Sequence, residues 1–261
     1  MSYQFIDVTT AGHVTHITLN RPQVLNAINQ DMHDELQRAF DDFAAAPDQY
    51  LGVVAGAGER AFSAGSDLKS IAERGRPHVY PRCGYAGLIE RFDLDKPLIA
   101  AVDGVAAGGG FELALACDVI IATRRSRFGL PEPRVGAVAL GGGVHRLSRQ
   151  IGLKQAMGMI LTGDLVSAAE GYRLGFVTEL VADDGLDEAV ASWCSRILAC
   201  APLAIRASKE TVMRGLDAAG LEAAMREQQT YPAFAACFES ADRHEGAAAF
   251  AEKRPPRWQG R

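Results

Sequence analysis

No stretch of this chain reaches the roughly 18 consecutive apolar residues that a membrane-spanning helix needs. The opening Met1-Ser2-Tyr3-Gln4-Phe5-Ile6-Asp7 has neither the basic nor the apolar region of a secretory signal. A membrane is therefore not an expected partner. The five cysteines (Cys83, Cys117, Cys194, Cys200 and Cys237) are odd in number, scattered, and without a C-x-x-C pair. That pattern argues against a disulfide framework and a cysteine zinc site, and points to a reduced, cytoplasmic setting. Basic residues are not in excess either: 27 Lys and Arg stand against 32 Asp and Glu, for a net charge of -5. Nucleic acid usually selects a clustered basic face, so it is not expected as a partner.

Apolar residues make up 48% of the 261 positions, enough for one substantial core with an appendage. Val14 to Leu19 alternates as a strand, and Asn29 to Phe43 carries Met32, Leu36, Ala39, Phe40 and Phe43 at helical spacing. Three short apolar runs, 51–55, 98–102 and 119–122, read as buried strands separated by segments long enough for helices. The alternation predicts an α/β fold with binding loops at strand ends. Residues 71–84 show no period and read as a mobile loop. After about Gly185 only helical patterns remain: 189–199, 203–216, 221–229 and 241–251. The organisation expected is a core over 1–195 and a helical region over 196–261.

Two carboxylates stand out because the segments delivering them otherwise read as buried. Glu112 follows Gly108-Gly109-Gly110-Phe111, and Glu132 closes Phe128-Gly129-Leu130-Pro131-Glu132. The bland readings are a first-turn glutamate favoured by the helix dipole and a surface turn residue. The chemical reading is an acid/base pair. Small residues in Ala61-Phe62-Ser63-Ala64-Gly65-Ser66-Asp67-Leu68 let backbone N–H groups approach a ligand, and the triple glycine sits where a helix begins. The N–H groups of Ser66 and Gly109 are thus the two expected halves of an oxyanion hole. Gly56-Ala57-Gly58-Glu59-Arg60-Ala61 fits a dinucleotide-binding pattern, but a loop follows it where that fingerprint requires a helix. The six histidines lack metal or triad spacing and read as surface or loop residues; Cys117 reads as core.

These motifs, in this order, resemble the crotonase (enoyl-CoA hydratase/isomerase) superfamily over essentially the whole chain. Asn20-Arg21-Pro22 with Asn26-Ala27, the 61–68 and 108–113 segments, 96–104, 128–132 and Phe250-Ala251-Glu252-Lys253-Arg254 carry the likeness. The resemblance implies a ββα spiral with a C-terminal helical trimerisation region, a homotrimer or a hexamer of paired trimers. It implies an acyl-CoA thioester as substrate, with no metal and no other cofactor. Glutamate at both Glu112 and Glu132 looks like the hydratases, which add water syn across a 2-enoyl-CoA. By position, Ala64 and Asp67 fall in the CoA-binding loop, with the Ala64 backbone at the adenine and Lys69 near the phosphates. Phe250 and Lys253 would reach a neighbouring subunit's CoA.

Two positions depart from the family pattern: Gln23 replaces a basic residue after Asn-Arg-Pro, and Leu140 stands near the acyl carbon in place of glycine. Local texture at Tyr85-Ala86-Gly87-Leu88, Leu94-Asp95-Lys96-Pro97 and 111–116 is similar to the carnitinyl-CoA dehydratase branch, which uses the same pair of glutamates on a trimethylammonium substrate. The resemblance is also compatible with an enoyl-CoA isomerase and with a non-catalytic CoA- or RNA-binding relative. The acidic balance speaks against RNA.

Overall fold

A computed structural model describes residues 3–261. In chain order its strands and helices are β1 (Ile6–Ala11), β2 (Val14–Leu19), α1 (Gln30–Ala45), β3 (Leu51–Gly56), β4 (Ala61–Ser63), α2 (Leu68–Arg74), β5 (Leu98–Val102), β6 (Val105–Ala107), α3 (Gly109–Leu115), β7 (Val119–Thr123), β8 (Arg127–Gly129), α4 (Gly143–Gln150), α5 (Leu153–Thr162), β9 (Val166–Ser167), α6 (Ala168–Leu174), β10 (Glu179–Val181), α7 (Leu186–Leu198), α8 (Pro202–Asp217), α9 (Leu221–Glu227), α10 (Pro232–Phe238) and α11 (Ala241–Glu252).

Two sheets share this chain. One has the order β1-β2-β3-β5-β7-β10, antiparallel only at β1-β2; the other has the order β4-β6-β8-β9, antiparallel only at β8-β9. Each of β3, β5 and β7 lies in the first sheet and is followed at once by a three-residue strand, β4, β6 or β8, in the second. Successive turns therefore stack as a ββα spiral. The short strands stop beside one another, with Ala107 paired to Gly129 and Ser63 to Ala106. The loops that leave them emerge together.

The apolar runs are continuous because the first sheet is covered on both faces. Val54, Leu98, Ala100, Val102, Ile120 and Ala122 face the main core with Met32, Leu36, Phe40 and Phe43 of α1. Their alternates Val53, Ile99, Ala101 and Ile121 face Ala189, Val190 and Cys194 of α7. Helix α1 starts where the Asn29 side chain accepts the Met32 N–H at 3.0 Å.

Residues 71–74 belong to α2, which corrects the reading of 71–84 as an unstructured loop. Asp67 caps this helix by accepting the Ser70 N–H, and Gly75 ends it in the left-handed conformation. None of its side chains is buried, so no apolar period marks it in the sequence. Helix α3 begins at Gly109, within the triple glycine where a helix start was expected. Cys117 is buried as expected.

The expected boundary at residue 195 falls within α7. The helices beyond it are tied to the body by polar anchors. Lys209 of α8 donates to Asp118 at 2.7 Å and to the Lys96 carbonyl at 2.9 Å, Arg206 pairs with Asp95, and the Trp258 indole donates to the Ala199 carbonyl. No single helix among the described residues is long and apolar enough to cross a membrane.

Candidate active site

The three loops leaving β4, β6 and β8 carry Ser66, Gly109 and Glu132. The first is shaped by a parallel bridge between Ile28 and Ser66, in which Ile28 N–H donates to the Gly65 carbonyl (2.8 Å) and Asp67 N–H to the Ile28 carbonyl (3.0 Å). A parallel bridge uses the groups flanking one of its residues, so the N–H of Ser66 itself points away from Ile28. Gly65 has φ +86° and lies so close to the next turn that a methyl group on it would stand 2.9 Å from Gly109 N. The Ser66 and Gly109 segments are thus held side by side. Neither N–H has a protein acceptor among the described residues.

The support for this loop comes from the Asn20-Arg21-Pro22 motif. Asn26 is fully buried at positive φ, donates to the carbonyls of Ala57 (3.0 Å) and Ala61 (2.8 Å), and accepts the Arg21 N–H. Arg21 in turn bridges the Ala27 carbonyl (2.5 Å) and Asp67 (3.0 Å). Asp67, expected at the CoA, is engaged here as a helix cap and ion-pair partner. Burial alone would raise its pKa, but the Ser70 N–H and Arg21 outweigh it and hold the carboxyl below its ordinary value.

Glu112 sits on α3 and is 3% exposed. Its Oε1 accepts the Gly143 N–H at 2.9 Å, and the Gly141 backbone packs against the same carboxylate. Glycine is needed around it: a methyl group on Gly141 would overlap the carboxylate, and one on Gly143 would stand 2.9 Å from Oε1. Burial pushes the Glu112 pKa up to about 7. The Gly143 N–H opposes that rise, the Glu132 charge adds to it, and Arg146 offsets part of it. Glu132 heads the 3-10 turn after β8, and its Oε2 is buried without a hydrogen-bond partner among the described residues. Burial raises its pKa as well. Glu132 lies in a turn as the bland reading had it, but is half-buried, its carboxylate tucked against Gly108, where a methyl group would stand 2.9 Å from Oε1.

The carboxylates and the two amides converge; the other expected residues lie around or beyond them. Ala64 is half-buried, with its N–H committed to the Leu25 carbonyl at 2.9 Å. Lys69 is exposed on α2, 4.0 Å from Glu73. Leu140 is 75% exposed, and its N–H donates to the Val138 carbonyl at 2.8 Å. Phe250, 88% exposed, and Lys253 stand on or just after α11, which packs chiefly on α10. His145 is exposed on α4.

Sequence reasoning missed an aromatic group beside the amides. Tyr85 is buried against Gly109 and accepts from Ser66 Oγ at 3.3 Å. His33 packs edge-on to it at 4.6 Å and to Tyr80 at 5.2 Å, with His78 at 5.6 Å. His33 and His78 are both buried; His33 lies in a helix, contrary to the surface-or-loop reading, while His78 does lie in a loop. His33 lies on the inner face of α1, where its Nδ1 accepts the Ala86 N–H at 2.9 Å, and burial drives its pKa down to about 3. The one available signal was its place in the helical stripe, one residue after Met32.

The enoyl-CoA hydratase/isomerase family model matches residues 9–261. The chain belongs to that family. It is 40% identical over 262 aligned residues to the carnitinyl-CoA dehydratase of Salmonella typhi, covering 98% of each protein. Among solved structures it is similar to an enoyl-CoA hydratase from Mycobacterium tuberculosis H37Rv (38% identity, TM-score 0.91, 98% of this chain and 99% of that one). A second match, an enoyl-CoA hydratase from Mycobacterium marinum, has 40% identity, the same TM-score and the same coverage. The crotonase-type fold expected from the motifs is the fold observed, and the names of these relatives agree with an enzyme of the hydro-lyase kind.

Proposed function

We propose that the protein catalyses the reversible syn hydration of a trans-2-enoyl-CoA thioester. The observation that carries this reading is Glu112, buried and with its pKa raised to about 7, beside a second, half-buried carboxylate, Glu132, whose Oε2 is shielded from solvent. Hydration needs a base and an acid on one face of the double bond, and two carboxylates with separated pKa values can supply both.

In the hydration direction Glu112 takes a proton from water as the water oxygen bonds to C3. The double-bond electrons move onto the thioester oxygen, which the Ser66 and Gly109 N–H groups stabilise as an enolate. Protonated Glu132 then delivers its proton to C2. Glu112 ends protonated and Glu132 ionised, and proton exchange resets the pair. No metal or bound cofactor enters these steps, and the CoA thioester is the substrate.

The backbone at Ala64 and the exposed ammonium of Lys69 suit the nucleotide end, and Asp67 secures their loop. Leu140 lines the approach to the acyl carbon. Phe250 and Lys253 serve the CoA of a neighbouring subunit. We place the assembly surface in the helical region 196–261, as a homotrimer or hexamer, because Leu216, Leu221 and Phe250 are apolar and exposed there. Light scattering on the purified protein tests that state.

A second reading, dehydration of carnitinyl-CoA to its enoyl product, is favoured by the 40% identity to the Salmonella typhi carnitinyl-CoA dehydratase. It uses the same machinery in the opposite direction. One experiment serves both: enoyl-thioester absorbance is followed with crotonyl-, longer 2-enoyl- and crotonobetainyl-CoA, using wild type, Glu112→Gln and Glu132→Gln. Each substitution is expected to lower kcat roughly a hundredfold or more. Undiminished kcat in both variants would sink the assignment. Turnover confined to crotonobetainyl-CoA would select the second reading.

A further inference from the structure

The turn carrying Tyr85 is built at a conformational cost. Gly84, Ala86 and Gly87 all have left-handed φ, +73°, +54° and +63°, a region disfavoured for any residue with a Cβ such as Ala86. Helix α1 holds the turn in place. His33 Nδ1 accepts the Ala86 N–H, and Gln37 Oε1 accepts the Cys83 N–H at 2.9 Å. Gly87 presses so closely on the backbone of Gln37 that a methyl group would overlap it. Strain that the surroundings over-determine in this way points to a side chain whose position matters.

That side chain is Tyr85. A methyl group on Gly109 would overlap its ring and hydroxyl, so the phenol lies on the Cα of one oxyanion residue. Its oxygen is 3.3 Å from Oγ of Ser66, the other oxyanion residue, and accepts a hydrogen bond from it. With the serine supplying that hydrogen, the phenol's own hydrogen has no protein acceptor among the described residues. The buried phenol thus touches both oxyanion residues, at the Ser66 hydroxyl and at the Gly109 Cα.

We propose that the Tyr85 hydroxyl is a third hydrogen-bond donor to the thioester oxygen, acting with the N–H groups of Ser66 and Gly109. The assignment rests on reading the site as an acyl-CoA pocket. Burial, reinforced by the charges of Glu112 and Glu132, raises the phenol pKa, so the group stays a donor throughout the working range. A donor aimed at developing negative charge gains strength as the enolate forms, which places its effect on kcat rather than KM.

Tyr85→Phe keeps the ring and removes only the hydroxyl. The expected result is a fall in kcat of roughly ten- to a hundredfold with KM nearly unchanged. Independently of turnover, the infrared carbonyl band of bound butyryl-CoA, 13C-labelled at the thioester carbon, is expected to move to higher frequency than in the wild-type complex. Ser66→Ala preserves the backbone N–H but releases the phenol, and a smaller band shift in the same direction is expected. It decides the matter if Tyr85→Phe does not fold. Wild-type kcat in Tyr85→Phe, or a carbonyl band that stays put, would overturn the assignment and leave Tyr85 as a packing residue. Failure of the wild-type protein to bind butyryl-CoA would overturn the acyl-CoA reading as well, whereas the Glu112→Gln result tests the hydration reading separately.

Discussion

Glu112 Oε1 accepts the backbone N–H of Gly143 at 2.9 Å, joining α3 to the start of α4 across 31 residues. The bond fixes one carboxylate oxygen, and Gly141 leaves room for the other. Gly141 does not have positive φ, so alanine is compatible with its backbone; the three atoms nearest the added methyl group all belong to the glutamate. Gly141→Ala is therefore expected to fold with a near-native melting temperature while losing kcat by about a hundredfold, as misplaced acid/base groups do. A calorimetric scan beside a progress curve checks both halves.

The raised pKa of Glu112 sets the pH profile. As the base it must be ionised, and burial places its titration at about 7. kcat/KM is expected to fall on the acid side with an apparent pKa of about 7, well above an ordinary carboxylate. The charge of Glu132 contributes to that rise, so Glu132→Gln lowers the Glu112 pKa. Carbon-detected NMR titration of labelled glutamate measures this directly. A kcat/KM that is flat from pH 5.5 to 8 would contradict the assignment of Glu112 as base.

The long elements of the frame were legible because β3, β5 and β7 are buried on both faces and so read as unbroken apolar runs. The three-residue strands β4, β6 and β8 are too short to show a period, yet they bring Ser66, Gly109 and Glu132 together. The glutamates announced themselves as carboxylates in segments that otherwise read as core. Tyr85 and His33 did not, because an aromatic residue in a turn and a histidine in a helix acquire meaning only from a contact between segments 53 residues apart. The polar residues Asn26 and Arg21 were visible as a motif, while their role in bracing the 61–67 loop depends on carbonyls that sequence does not reveal.

Asp67 offers a test of that brace. Its carboxylate caps α2 and pairs with Arg21, and both side chains are largely buried. Asp67→Asn removes the charge that Arg21 faces and is expected to cost about 1–3 kcal/mol near neutral pH. The folded-state pKa of Asp67 lies below the ordinary value. Its stabilisation is thus present above the ordinary aspartate range and lost as pH falls through the folded value. Urea midpoints of wild type and variant should differ at pH 7 and converge toward pH 3.

Glu132 has the opposite sign. Its buried Oε2 has no partner among the described residues, and burial raises its pKa. The native state holds this proton more tightly than the unfolded chain does. The carboxyl therefore weakens the fold progressively as pH rises from the ordinary glutamate range, about 4.3, to its raised folded value. Glu132→Gln removes the ionisation with little change in shape, so its melting temperature should exceed that of wild type at pH 8 and match it near pH 4.5. Hydration should fall at least a hundredfold in the same variant. A wild-type-like melting temperature at both pH values would mean that the carboxylate is solvated in the native protein. Its proton would then be held less tightly for transfer to carbon, since burial is what favours the protonated form of Glu132.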